Sequence, residues 1–149
     1  MRIAVDAFGG DNAPLEIIKG AIMAKNEYGA DIVLVGDTEN IKSCANENGL
    51  NIDGIELVQA DAVFDMHDTP TDILKSKRNT SLGVALDYVA EGNADAIVSA
   101  GSTGAIVAGA TFILKRIKGV KRPALGTVLP TSTNVHKHQF TGACRQNCT

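Results

Sequence analysis

Short apolar runs alternate along the chain with segments in which apolar residues recur at helical spacing. Apolar runs occupy positions 3–5, 32–35, 55–58, 96–98 and 124–129, and stretches of helical period lie between them. Runs that are apolar throughout are typical of strands buried on both faces. The alternation therefore predicts an α/β fold with a mostly parallel, Rossmann-like three-layer sheet that carries helices on both faces.

The predicted helices have recognisable ends. The first extends from Pro14 to Tyr28, with Asp11 or Asn12 as its cap and Gly29 as its stop. Further helices are expected from 37 or 38 to 49, from 81 to 91, and along the stripe at 106, 110, 113 and 117. The segment from 61 to 79 is irregular, and we expect a loop there with a short helix near 71–77.

Composition narrows the class of protein. A chain of 149 residues with 44% hydrophobic side chains is long enough for one ordinary core. Its formal net charge of -3 and its lack of Trp argue against a nucleic acid partner. No apolar run approaches a membrane span and no signal peptide pattern opens the chain, so we place the protein in the cytoplasm. Three cysteines without framework spacing fit a reducing compartment.

Two glycine loops are the candidate binding sites. Each follows a predicted strand and leads into a helix, an arrangement that directs free backbone N–H groups at an anion. Glycines let the backbone approach the anion closely, and hydroxyl groups add donors. The alternative is that these glycines only permit tight turns. The candidate phosphate-binding residues are Gly9, Gly10, Ser99, Gly101, Ser102, Thr103 and Gly104.

Carboxylates and cations near these loops invite further roles. Asp6 and Asp11 stand where a general acid or a metal ligand would be expected at strand ends. The alternative is that Asp11 caps the helix while Asp6 accepts backbone N–H bonds in its own loop. The cations after the last helical stripe complement a helix end or form a docking patch for an acidic partner. These cations are Lys115, Arg116, Lys118, Lys121 and Arg122.

A zinc site in the tail is disfavoured. His136, His138, Cys144 and Cys148 are all possible ligands, but their spacing does not match the usual motifs. We expect neither a metal nor a cofactor.

Two long motifs resemble one known family. The run 3–14, IAVDAFGGDNAP, and the run 92–131, which contains SAGSTGA, are similar to the bacterial phosphate acyltransferases of the PlsX type. Between these runs, Pro70, Lys75, Lys77 and Ser81 fall where that family has a proline, two basic residues and a serine. Ser102 departs from the family, which usually has Asn there.

The resemblance implies an enzyme that passes a fatty acyl group from acyl carrier protein to inorganic phosphate, giving acyl phosphate for phospholipid synthesis. Phosphate would attack the thioester directly while the glycine loop from 99 to 104 holds it, with Lys75 and Lys77 as charge partners. Together with Asp6 and Asp11, these lysines are the candidate catalytic residues. The resemblance also implies a homodimer and peripheral association with the inner face of the membrane.

The resemblance ends at Thr131. Residues 132–149 have a polar composition that does not fit the fold, and we interpret them as a non-matching tail from truncation or a shifted reading frame. On this interpretation residues 1–131 are the N-terminal part of the α/β domain, and the sheet is incomplete relative to the family. Two alternatives stay open: a non-catalytic fragment that at most binds phosphate, and a related phosphate or coenzyme A acyltransferase.

Overall fold

The computed structural model describes residues 1–65, 67–116 and 118–121, together with the backbone of two strands beyond them. The chain forms two compact units, Met1–Lys115 and Arg116–Thr149. Our division of the chain at residue 131 stays a prediction.

The first unit alternates strands and helices in chain order. It contains β1 Arg2–Asp6, α1 Leu15–Tyr28, β2 Asp31–Gly36, α2 Thr38–Glu47, β3 Glu56–Gln59, a 3₁₀ helix Pro70–Leu74, α3 Ser81–Ala90, β4 Ala96–Val98 and α4 Thr103–Gly109. A π-helical segment, Ala110–Leu114, follows α4 directly.

The four strands form a parallel sheet in the order β3-β2-β1-β4. β1 lies inside the sheet, and its central residue Ala4 is in register with Val33 of β2 on one side and Ile97 of β4 on the other. Parallel neighbours need crossover connections, and the intervening helices supply them. The predicted α/β fold with a parallel sheet is confirmed.

The core has two layers because side chains alternate between the faces of the sheet. On one face, Leu34 packs with Ile18 of α1 and Ile41 of α2. On the other face, Val33 packs in a cluster with Ala85 of α3. Each fully buried aliphatic side chain contributes about 1.5–3 kcal/mol relative to an exposed one. The near-continuous apolar strands of the sequence are therefore explained by helices on both faces.

The start of α1 differs from our prediction. Pro14 occupies the N-cap position, and no side chain accepts a hydrogen bond there, so the expected cap by Asp11 or Asn12 is wrong. The Asn12 backbone carbonyl instead accepts the Glu16 N–H at 3.3 Å. The other end agrees with the sequence, since Gly29 closes α1 with a φ of 62°.

The irregular segment after β3 leads into α3 through a well-defined cap. Thr80 is buried, accepts the Gly83 N–H at 3.2 Å and donates its hydroxyl to the Lys77 carbonyl at 2.6 Å. Arg78 pairs with Asp87 of α3 through two hydrogen bonds of 2.9 and 2.5 Å. The short helix that we expected near 71–77 is the 3₁₀ helix, which is shifted slightly towards Pro70.

The last helix of the first unit is not uniform. The predicted stripe treated 106–117 as one α-helix, but the α-helical part ends at Gly109 and a π-helical segment continues to Leu114. The Thr111 hydroxyl donates to the Val107 carbonyl at 2.6 Å, a bond that competes with regular helical geometry. Lys115 then has a φ of 70°, which ends the helix. Ile117 of the stripe lies outside the described residues.

The second unit contains an antiparallel pair of strands. β5 Leu125–Leu129 pairs with β6 Lys137–Thr141. The sequence predicts the run 124–129 as a buried strand of the parallel sheet. Its observed partner is antiparallel, which a short connection allows, whereas a parallel pair needs a crossover of a dozen or more residues. β6 falls within the polar tail.

A polar network joins three elements at the amino ends of the strands. Arg2 of β1 forms an ion pair with Glu56 of β3, and the Tyr88 hydroxyl of α3 donates to the same carboxylate at 2.9 Å. The Arg2 backbone N–H also donates to Asp95, just before β4, at 2.7 Å. The hydrogen bond from Tyr88, and after it the Arg2 guanidinium, hold the pKa of Glu56 below its ordinary value of 4.5.

Two helical glycines offer a matched test of packing. A Cβ at Gly83 would lie 2.8 Å from the Arg78 carbonyl carbon, whereas a Cβ at Gly20 of α1 would meet nothing within 4 Å. We expect Gly83→Ala to destabilise the protein by about 1–3 kcal/mol through overpacking. Gly20→Ala should stabilise it by about 0.5–1 kcal/mol. Urea unfolding of both variants measures the difference, and a shift of equal sign in both would contradict it.

The Glu56 network predicts a pH dependence of stability. A carboxyl whose pKa is lowered in the folded state stabilises the protein above its ordinary pKa of 4.5, and this contribution disappears as the pH falls through the lower folded value. Glu56→Gln should therefore lower the melting temperature at neutral pH and flatten its decline as the pH falls from 4.5 through the lower folded pKa of Glu56. Glu27→Gln, which removes an exposed carboxylate of α1, is the control and should leave the profile unchanged.

Candidate functional site

The candidate site lies at the point in the sheet where the strand order reverses. From β1 the chain builds β2 and β3 on one side, with α1 and α2 on one face, and then returns through α3 on the opposite face to place β4 on the other side of β1. The carboxyl ends of β1 and β4 are therefore adjacent, and the chain leaves these two ends towards opposite faces of the sheet. In open α/β sheets this crevice is the usual place for a ligand.

The two predicted glycine loops meet in this crevice. The Ser99 hydroxyl, just after β4, donates to Oδ2 of Asp6 at the end of β1 over 2.7 Å. The Gly101 N–H donates to Ser99 Oγ at 3.1 Å, and the Phe8 N–H donates to Asp6 Oδ1 at 3.2 Å. One carboxylate and one hydroxyl thus join both loops, although 93 residues separate Asp6 from Ser99.

Gly9 sits against this pair at a distance that excludes a side chain. A Cβ on Gly9 would lie 2.6 Å from both Asp6 Oδ2 and Ser99 Oγ, and 2.9 Å from the Gly101 nitrogen. Gly10 has a φ of 106° and faces Ala100, whose Cβ would be 3.2 Å from a Cβ added there. Both glycines are therefore required by close approach or by backbone conformation, and not only by the turn between strand and helix.

The other residues of the second loop differ in exposure and bonding. Ser102 is the N-cap of α4 and accepts the Ala105 N–H at 3.4 Å. Thr103 and Gly104 are exposed at the start of α4. Gly104 packs against the 3₁₀ helix, since a Cβ there would lie 2.9 Å from Pro70 Cγ. The irregular segment after β3 therefore borders the candidate site.

The candidate carboxylates occupy different surroundings. Asp6 is only 2% exposed, and both of its oxygens accept hydrogen bonds from the loops. Asp11 is exposed and caps no helix. Within the described part of the chain, no group of three or more His, Cys, Asp or Glu side chains is placed to hold a metal. His136, Cys144 and Cys148 of the disfavoured zinc set lie outside the described residues, and His138 is described only as part of β6.

The two candidate lysines are not joined to the loops. Lys77 pairs with Asp68, with 3.1 Å between Nζ and Oδ2. The Asp65 N–H and then this lysine hold the pKa of Asp68 below its ordinary value. Lys75 is exposed at the end of the 3₁₀ helix. In the described ranges, no hydrogen bond or ion pair links either lysine to the glycine loops, so their role as charge partners stays a prediction.

The hydrogen bond from Ser99 to Asp6 was not predicted from the sequence. The sequence suggests Ser99 as a donor to phosphate and Asp6 as an acceptor within its own loop. The second of these contacts is present as the hydrogen bond from the Phe8 N–H. The available signal was that each residue directly follows an apolar strand. That signal identifies a strand end, but it does not show which strands are neighbours.

Comparison with known proteins agrees with this architecture. The family model described as "Fatty acid synthesis protein" matches residues 1–138. The chain is 46% identical over 132 residues to a phosphate acyltransferase of Geobacter sulfurreducens, covering 88% of this chain and 38% of that relative. It is 49% identical over 136 residues to a phosphate acyltransferase of Desulforamulus reducens, covering 91% of this chain and 40% of that relative.

A solved structure shares the fold. The EutD phosphotransacetylase from Staphylococcus aureus matches 99% of this chain and 47% of its own, with a TM-score of 0.59 and 22% sequence identity. The chain spans about two fifths of the length of the curated relatives named above. The family model covers residues 1–138 of the 149, so the chain belongs to the family of fatty acid synthesis proteins.

Proposed function

We propose that the site takes part in the transfer of a fatty acyl group from acyl carrier protein to inorganic phosphate, which yields acyl phosphate for phospholipid synthesis. The observation that carries this proposal is that the two glycine loops meet at the point where the strand order of the sheet reverses. It is supported by relatives that are named phosphate acyltransferases.

For this reaction the protein needs mainly to position phosphate beside the thioester and to stabilise the negative charge that develops on the carbonyl oxygen. A phosphate oxygen attacks the thioester carbonyl, the new C–O bond forms, and the C–S bond breaks with departure of the thiolate. Phosphate held beside the carbonyl makes this attack effectively intramolecular, and N–H donors stabilise the oxyanion that develops. No covalent intermediate with the enzyme is needed. Exposed groups of the loops, including Gly10, Thr103 and Gly104, are available to face the ligand.

A second candidate function is phosphate binding without turnover. It is supported by the two loops joined at the ends of β1 and β4, which could hold an anion without any acyl group. Transfer would additionally require a thioester placed beside that anion. Phosphate-dependent thermal stabilisation combined with an acyl phosphate assay on the 149-residue chain distinguishes the two. Binding with turnover supports the first, binding without turnover supports the second, and a lack of binding contradicts both.

The partner protein is expected to use the cations after the last helix. Lys118 and Lys121 are exposed, whereas the Arg116 guanidinium is engaged by the Lys121 backbone carbonyl. An acidic carrier protein would be attracted to these free cations. Homodimer formation and peripheral attachment to the membrane belong to the same proposal and rest on the resemblance alone. No helix in the described ranges is long and apolar enough to cross a bilayer.

The packing of Gly9 predicts the effect of a single methyl group. Gly9→Ala would force Asp6 and Ser99 apart, since the added carbon would lie 2.6 Å from an oxygen of each. We expect phosphate affinity to fall by about tenfold or more, as one charge-assisted hydrogen bond is disrupted. Titration followed by ³¹P NMR line broadening measures it. Gly20→Ala, where the added carbon meets nothing within 4 Å, is the control, and unchanged affinity in Gly9→Ala would reject the assignment.

Charge reversal tests the docking patch. The double variant Lys118→Glu and Lys121→Glu should weaken binding of acyl carrier protein, with the loss greatest at low salt because exposed charges are screened at higher ionic strength. Surface plasmon resonance at two salt concentrations measures this. Charge reversal at the exposed Lys42 of α2 serves as the matched control. Equal affinity of both variants would exclude Lys118 and Lys121 from the interface.

A further inference from the structure

The pair formed by Asp6 and Ser99 has a fixed direction of hydrogen bonding. Carboxylate oxygens only accept, so the Ser99 hydroxyl proton points to Asp6 Oδ2 over 2.7 Å. Asp6 is 2% exposed, which shields this bond from competing water. The low local dielectric strengthens such a bond. The proton of Ser99 is therefore committed to Asp6 and is not free for a ligand.

Counting lone pairs shows what Ser99 has left to offer. A serine hydroxyl has one donor and two acceptor positions. The donor is used by Asp6, and one acceptor position is used by the Gly101 N–H at 3.1 Å. Ser99 is partly buried, and within the described residues its Oγ makes no hydrogen bond beyond these two, so one acceptor position remains for a ligand. Towards a ligand, Ser99 thus presents an acceptor and no donor.

We propose that Asp6, acting through Ser99, makes this crevice select a tetrahedral oxyanion that carries its own proton, such as hydrogen phosphate or hydrogen arsenate, over sulfate. This inference rests on the proposed phosphate site. An oxyanion with an O–H group donates to the open acceptor position of Ser99. Sulfate has no proton at neutral pH. Its oxygen would therefore face the Ser99 oxygen with no proton between them, and two hydrogen-bond acceptors in that position repel each other.

In this arrangement Asp6 is a positioning residue, because it acts through Ser99 and does not itself touch the ligand. Its charge also matters, since no Lys or Arg within the described ranges forms an ion pair with Asp6. A ligand beside Ser99 therefore meets a nearby negative field. This field penalises all anions, whereas the hydrogen bond discriminates between them.

The substitution Asp6→Asn reverses the direction of the bond without changing the shape of the side chain. The new amide donates to Ser99 Oγ, and with the Gly101 N–H it fills both acceptor positions. The Ser99 hydroxyl must then donate outwards, which suits sulfate. Since the lost charge acts on both anions, the ratio of phosphate to sulfate affinity isolates the effect of the hydrogen bond.

The test is a set of titrations on the 149-residue chain with inorganic phosphate, arsenate and sulfate, by isothermal calorimetry and by thermal shift. We expect the original chain to bind phosphate and arsenate about tenfold or more tighter than sulfate, the effect of one well-placed hydrogen bond. In Asp6→Asn this preference should disappear or reverse. Asp53→Asn, which removes an exposed carboxylate at the opposite end of the sheet, should keep it.

Each outcome decides the matter. Equal affinity of the original chain for phosphate and sulfate overturns the selection and leaves the phosphate site in place. A preference that survives in folded Asp6→Asn also overturns it. If that variant fails to fold, Ser99→Ala replaces it, because loss of the acceptor should equally abolish the preference and its retention would reject the role of Ser99. Absence of any phosphate binding instead contradicts the proposed function itself.

Discussion

The hydrogen bond between Ser99 and Asp6 joins the two loops of the candidate site, and the site's geometry depends on it. It connects the ends of β1 and β4 at 2.7 Å, and Gly9 and Gly101 close around it. A buried carboxylate is costly unless it is hydrogen-bonded, and here both of its oxygens have donors. The same contacts that satisfy Asp6 therefore hold the two loops in one arrangement.

That bond is possible because the parallel sheet brings its strand ends together. β1 lies inside the sheet, with β2 on one side and β4 on the other, and its apolar residues are covered on both faces. Polar residues are best accommodated at the ends of such a strand, where loops begin, and Asp6 is the last residue of β1. The core therefore determines where chemistry can occur, and the loops determine which chemistry it is.

The irregular segment after β3 completes the surroundings of the site. It is held by the buried cap at Thr80 and by the pair between Arg78 and Asp87, and its 3₁₀ helix packs on Gly104. This segment contains Lys75 and Lys77, but Lys77 is already paired with Asp68. A positive charge in the sequence near a site is thus not the same as a positive charge available to a ligand.

The sequence by itself determined the order of strands and helices. Strands buried on both faces must be apolar throughout, and helices that cover a sheet must carry apolar residues at helical spacing. It also located both glycine loops, since each follows such a strand. It was wrong about the cap of α1, where no side chain accepts a hydrogen bond. It was also wrong about a single α-helix along 106–117, where the Thr111 hydroxyl donates to the Val107 carbonyl and a π-helical segment follows Gly109. Only the tertiary structure decided that β4 lies beside β1, because strand order depends on crossover connections and packing across 93 residues. For that reason the sequence identified Asp6 and Ser99 as candidate residues, while only the fold showed that they are hydrogen-bonded to each other.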